Sequence, residues 1–205
     1  MPLIVFEGID GCGKTTQVDR LAERLRASGI THRLLREPGG TVLGERQRAT
    51  LLDPATHACP VAELFGYLQA RAQLCHEVMA PALARGEVVV LDRFWYSTIA
   101  YQCAGLGLDE APVRAAIRLA IGSVQADLVL WFALDPAEAV RRRAAARGLD
   151  RIEARGLEYL TRVHAGYQTL VASEGLVRLD ATRTVADLEV EVWRQVQAVV
   201  SLQRG

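Results

Sequence analysis

The segment that most constrains this chain is Gly8-Ile9-Asp10-Gly11-Cys12-Gly13-Lys14-Thr15, which fits G-x-x-x-x-G-K-[ST] in full. An apolar run, Leu3 to Phe6, precedes it. A stretch from Thr15 to Ala27 follows, in which Val18, Leu21, Ala22 and Leu25 recur at helical spacing before Gly29. Strand, glycine turn and helix start in that order describe a phosphate cradle. The glycines let backbone N–H groups turn inward, and the helix N-terminus adds its dipole. Lys14 can reach the β- and γ-phosphates of a nucleoside triphosphate, and the Thr15 hydroxyl can ligate Mg²⁺. Thr16, the next residue, completes the candidate donor-nucleotide set.

The rest of the chain repeats the strand-then-helix order. Val88 to Leu91 is an unbroken aliphatic run, VVVL, ending in Asp92. Such a run suits a central parallel strand covered on both faces. Leu128 to Leu134 is similar, and Leu176 to Leu179 and His32 to Arg36 are shorter candidates. Helical patterns cover Trp95 to Gln102, Pro136 to Ala146 and Val185 to Val200. A longer one runs from about Ala62 to Ala84, where Pro81 either ends the helix or kinks it. Glu37 to Thr41, EPGGT, is a loop by its content. These features predict an α/β P-loop NTPase fold, a five-stranded parallel sheet with helices on both faces, as one domain over residues 1–205.

Formal net charge is zero, so no global field draws the protein to nucleic acid or to a membrane. No run approaches the roughly 20 apolar residues of a membrane span, and Pro2 to Phe6 is too short for a signal-peptide core. Cys12, Cys59, Cys75 and Cys103 are scattered, without C-x-x-C, which suggests neither a zinc site nor a disulfide framework; a reducing cytoplasm is the simplest setting. Of the 24 basic residues Lys14 is the only lysine, so the other 23 are arginine. Genome composition and stability both account for such a bias; neither replaced the lysine of the loop.

Asp92 ends a buried strand, at the sheet edge where open α/β folds bind ligands. It either caps the next helix or acts on Mg²⁺ directly or through water. The adjacent Arg93, which shares the crevice, favours a metal together with a second phosphate. Arg141, Arg142, Arg143, Arg147, Arg151 and Arg155 crowd one segment with Asp150 and Glu153. By composition this is a solvated, salt-bridged helix face. Beside a phosphate loop it is also a short arginine-rich lid, about residues 141–155, interrupted by Gly148, that can close over phosphates.

With these residues in view, the chain resembles thymidylate kinases, which convert dTMP to dTDP. Five blocks carry the resemblance in the family's order: EGIDGCGKTTQ (Glu7 to Gln17), REPGGT (Arg36 to Thr41), ELFGYLQARAQ (Glu63 to Gln73), DRFWYSTIAYQ (Asp92 to Gln102) and RRRAAARGLDRIE (Arg141 to Glu153). The resemblance implies that Asp10 lies near the deoxyribose 3′-OH and the transfer centre. It implies that Arg36 and Pro38 belong to the loop lining the monophosphate site. Tyr67 stands where the family usually has a phenylalanine stacked on thymine, and Arg71 where its arginine meets the base. Arg93 matches the acceptor-phosphate arginine, Thr98 and Gln102 point toward the base, and Tyr101 disfavours a 2′-hydroxyl. The P-loop lacks arginine while the lid is rich in it, as in bacterial-type members, so Arg143, Arg147 and Arg151 are the lid candidates for catalysis. LDAT, Leu179 to Thr182, resembles the turn beside the adenine of ATP. The sequence departs from the family pattern at Gly66, Tyr67, Leu160 and His164.

The implied reaction is phosphoryl transfer from ATP to dTMP with Mg²⁺. The implied partners are ATP, dTMP and a second copy of the chain as a homodimer, with no nucleic acid and no membrane. The rivals are a P-loop kinase for another nucleotide or nucleoside and, from another class, a nucleic-acid-associated P-loop ATPase. The Tyr67–Arg71 and Thr98–Tyr101–Gln102 groupings favour a pyrimidine deoxynucleotide, and zero net charge disfavours the ATPase.

Overall fold

The computed structural model describes residues 1–144 and 151–202. Its centre is a five-stranded sheet of β1 (Leu3–Glu7), β2 (His32–Arg36), β3 (Val88–Asp92), β4 (Leu128–Ala133) and β5 (Val177–Asp180), in the order β2-β3-β1-β4-β5. Every pairing is parallel. β1 and β4 are buried throughout, as is β3 up to Asp92, because each is covered on both faces. The edge strands differ: β5 alternates apolar residues with exposed charged ones, and β2 has no fully buried residue and exposes Arg33, Leu34 and Arg36.

The chain reverses direction across the sheet at β1, with β3 on one side and β4 on the other. That is the switch point at which such sheets open a crevice at their carboxyl ends. Register makes the crevice level: Phe6 and Arg36 both pair with Asp92. Two main-chain bonds extend it, Arg93 N to Phe6 O (2.9 Å) and Glu37 N to Asp92 O (2.9 Å).

Nine α-helical segments occur among the described residues. α1 (Lys14–Ala27) buries Val18, Leu21, Ala22 and Leu25, the stripe its spacing predicts, and packs against α9 (Val185–Leu202). On the other side lie α2 (Val42–Leu52), α3 (Pro60–Leu74), α5 (Trp95–Thr98), α6 (Glu110–Ile121) and α8 (Gly156–Glu174), joined by mutual packing. α7 (Pro136–Ala144) carries Arg141, Arg142 and Arg143 in its last turn. The spacing had singled out no helix at α2, α6 or α8.

The long helical stretch neither ends nor stays regular at Pro81. α3 runs into a π turn, Cys75–Met79, and on into α4 (Ala80–Ala84). A π turn just before a proline absorbs its missing N–H. A second π segment, Ile99–Gly105, continues α5 and holds Tyr101 and Gln102. It lies tightly on α8: a Cβ at Gly166 would stand 2.7 Å from the Ala104 Cβ, and one at Gly105 2.6 Å from the Tyr159 ring.

Candidate active site

The phosphate loop is pressed between β4 and α7. A Cβ at Gly8 would lie 2.8 Å from Phe132 O, and one at Gly11 would lie 2.9 Å from Ala139 O and 3.1 Å from Arg143 Cγ. Only glycine satisfies both contacts, and both residues have positive φ. Gly13 starts α1 in the left-handed conformation with no side-chain cap. The first N–H groups of α1 thereby face the loop as an anion site. Lys14 is 5% exposed; its Nζ donates to Gly8 O (2.8 Å) and Ile9 O (3.3 Å) and lies 3.8 Å from Cys12 Sγ. Thr15 and Thr16 are exposed on the first turn.

Asp10 carries the loop into the neighbouring cleft. Its Oδ1 accepts from Arg93 Nη2 at 2.9 Å. Desolvation pushes the Asp10 carboxyl upward, but Arg93, Lys14 and Arg143 overcome it and hold the group well below the usual carboxylate range. The space in this cleft, open solvent at its mouth included, is about 590 Å³. Asp10, Pro38, Tyr67, Arg71, Arg93, Thr98, Tyr101 and Gln102 all line it. These come from the phosphate loop, the β2–α2 loop, α3 and the segment after β3, so folding unites residues up to 92 positions apart.

Arg71 is 2% exposed and almost wholly committed to the protein. Its Nε donates to Glu37 Oε2 (2.7 Å), its Nη1 to Thr98 Oγ1 (2.8 Å) and its Nη2 to Phe94 O (3.1 Å). Glu37 is buried with it, and its other oxygen, Oε1, has no hydrogen-bond partner. Burial raises the Glu37 carboxyl to about 7, against the pull of Arg71. Gln102 Nε2 donates to Glu63 Oε1 at 3.0 Å, and the Arg93 guanidinium lies over the Tyr101 ring at 5.1 Å.

Other sequence candidates lie elsewhere. Arg36 is half exposed, donates to Glu45 Oε2 (2.9 Å) and is not among the cleft-lining residues. Arg48 lines the cleft instead, its Nη1 on Pro38 O (3.0 Å). Arg151 is not at the phosphate loop: it donates to Leu51 O (2.8 Å) and Glu63 Oε2 (2.6 Å), and Arg155 shares the same carboxylate. Arg143 is the lid arginine brought against Gly11. Arg147 lies outside the described residues. Asp92 caps no helix; its Oδ1 is buried without a hydrogen-bond partner. Among the described residues no three His, Cys, Asp or Glu side chains cluster as a metal site.

Residues 6–192 match the family model described as thymidylate kinase. The chain belongs to the thymidylate kinase family. A thymidylate kinase of Deinococcus radiodurans is 43% identical over 195 residues, covering 94% of this chain and 95% of the relative. One from a Synechococcus species is 46% identical over 198 residues, covering 95% and 93%. Two departures from the thymidylate kinase pattern have local explanations. A Cβ at Gly66 would lie 3.0 Å from Leu51 Cδ2, so α2 sits close on α3 there. His164 packs against the buried Trp131 ring (5.2 Å between centroids).

The buried carboxylates Glu7, Glu37 and Glu63, together with Arg48, Ser97, Tyr159 and Tyr167, were not identifiable as site residues. Glu7, Glu37 and Glu63 all stand inside the family's blocks, but nothing local to them reveals that they are buried.

Proposed function

We propose that this chain transfers the γ-phosphoryl group of ATP to dTMP, giving ADP and dTDP. The observation that carries the reading is the Arg93–Asp10 ion pair. It joins the phosphate loop to a cleft lined by cations and an aromatic ring. The name of the relatives, thymidylate kinase, supports the same reaction.

The nucleophile is an oxygen of the acceptor phosphate. A phosphate monoester loses its second proton near pH 6, at about the value of a phosphorylated side chain, so it needs little general-base help. Catalysis is then positioning and charge neutralisation. Lys14 swings from the loop carbonyls onto the donor phosphates. Arg93 and Arg48 hold the acceptor phosphate, and Arg143 meets the transferring group with Arg147 of the lid, joined by Arg151 once it leaves Glu63. Arg71 keeps one Nη1 hydrogen for a base oxygen, Tyr67 stacks on the base, and Thr98 and Gln102 border it. Tyr101 fills the space a 2′-hydroxyl would need, and Pro38 closes the cleft floor; Arg36 orders its loop through Glu45. Thr15 and Asp92 are the residues we assign to Mg²⁺. The unpartnered, buried Asp92 Oδ1 is the hard oxygen that ion prefers. Bound there, Mg²⁺ would neutralise charge on the β- and γ-phosphates.

We read residues 1–205 as one domain that works as a homodimer in the cytoplasm. Val61 and Phe65 on α3 and Leu119 on α6, all exposed on two helices that pack together, support the dimer. All four cysteines are free, which supports a reducing compartment. No helix among the described residues is long and apolar enough to cross a membrane.

The test is a kinase panel with ATP, Mg²⁺ and dTMP, dUMP, dCMP, dGMP, AMP or thymidine as acceptor. ADP release is expected to be fastest with dTMP. Release no faster than without acceptor refutes the assignment, and a faster acceptor replaces dTMP in it.

A further inference from the structure

Glu7 takes no part in the chemistry above, yet four donors converge on it. It ends β1 and is fully buried. Its Oε1 accepts from Phe94 N (2.8 Å) and Ser97 N (3.3 Å), and its Oε2 from Ser97 Oγ (2.6 Å) and Tyr167 Oη (2.7 Å). Each hydroxyl owns one hydrogen. The two hydroxyls also lie 2.9 Å apart, within hydrogen-bond reach of each other; with its hydrogen on Glu7, each turns lone pairs toward Arg93, whose Nη1 lies 3.2 Å from Ser97 Oγ and 3.5 Å from Tyr167 Oη. In its ionised form Glu7 only accepts, and so favours this order. Burial outweighs the pull of Arg93, the Ser97 and Tyr167 hydroxyls and the Phe94 amide, and leaves the Glu7 carboxyl above its ordinary value.

The backbone tells the same story. Arg93 has φ 70, the single positive value among the described non-glycine residues. Its own N–H is held by Phe6 O (2.9 Å), and the next N–H, of Phe94, by Glu7 Oε1. Consecutive residues of β1 therefore grip the peptides on both sides of the strained residue. Tyr167 is itself fixed, stacked on Trp131 and edge-on to Tyr101.

We propose that Glu7 is a positioning residue for the reaction: through Ser97, Tyr167 and the Phe94 amide it holds Arg93 in the orientation that meets the acceptor phosphate. This rests on reading Arg93 as the ligand of that phosphate.

The test is a double-mutant cycle on the full chain: wild type, Glu7→Gln, Arg93→Gln and both together, with kcat and KM for dTMP and for ATP. Arg93→Gln lowers kcat/KM for dTMP by about 100-fold or more. Glu7→Gln lowers it by about 10- to 100-fold, with KM for ATP within about twofold of wild type. In the Arg93→Gln background, Glu7→Gln costs nothing further. An equal loss in both backgrounds overturns the proposal, because a carboxylate that only supports the fold weakens both enzymes alike. Should Glu7→Gln not give a cooperative melt, Tyr167→Phe takes its place in the same cycle, judged by the same criterion. If Arg93→Gln leaves the dTMP parameters unchanged, the site reading itself fails, and this proposal with it.

Discussion

The cleft we read as the acceptor site and the arginine-rich segment we read as the lid use the same side chain in opposite ways. Arg71 is 2% exposed and is held by the buried Glu37, Thr98 and a main-chain carbonyl. Arg141 is 74% exposed, and its partner, Glu138, sits one helical turn away. The first arrangement fixes a cation before any ligand arrives, so ordering costs are met in folding. The second holds a cation by a surface pair, worth little and readily exchanged for a phosphate. The end of the lid mixes the two, since Arg151 reaches a fully buried carboxylate, Glu63.

The strongest way to test this contrast lies in the loop between the two regions. Lys14→Arg keeps the charge but not the slim ammonium that fits under the loop carbonyls. It is expected to lower kcat by about 100-fold or more; near-normal kcat would mean that charge alone suffices. Next, Arg71→Ala leaves Glu37 buried without its cation, at a cost of about 3–5 kcal/mol, a fall in Tm on the order of 10 °C. Arg141→Ala is expected to leave Tm unchanged, and equal shifts in the two variants would erase the contrast.

Tyr67→Ala is expected to raise KM for dTMP about tenfold by loss of base stacking with KM for ATP unaltered; equal changes in both remove Tyr67 from the acceptor site. Arg151→Ala is expected to lower kcat more than it weakens dTMP binding. Unchanged kcat makes Arg151 an anchor on Glu63 and leaves transfer to the other lid arginines. The last effect is on pH dependence. Burial raises the Glu37 carboxyl from 4.5 to about 7, so the folded state holds this proton more tightly than the unfolded chain. The stability this gives is complete below about pH 4.5 and is lost as pH rises through about 7. Between those values wild-type Tm is expected to fall relative to Glu37→Gln; parallel Tm curves would show that Glu37 does not titrate there.

The contrast also explains what the sequence discloses. Glu138 and Arg141 are three residues apart, and any helical spacing finds them. Glu37 and Arg71 are 34 apart, and Glu7 meets Tyr167 across 160 positions. The phosphate loop was legible because its demands are local: glycines for positive φ, then a lysine, then a helix start. The central strands were legible because burial on two faces leaves almost unbroken apolar runs. Glu7 was not, because a carboxylate at a strand end looks solvated until Ser97 and Tyr167 arrive from elsewhere. Arg36 and Arg48 show the same limit. Both flank one loop, and only the three-dimensional course of α2 decides that the second one enters the cleft.

Lys14 is the only lysine in the chain and lies folded beneath its own loop. A lysine-specific protease therefore has one peptide bond to cut, Lys14–Thr15, inside the first turn of α1. Cleavage into two fragments thus reports every opening that unwinds that turn, local or global.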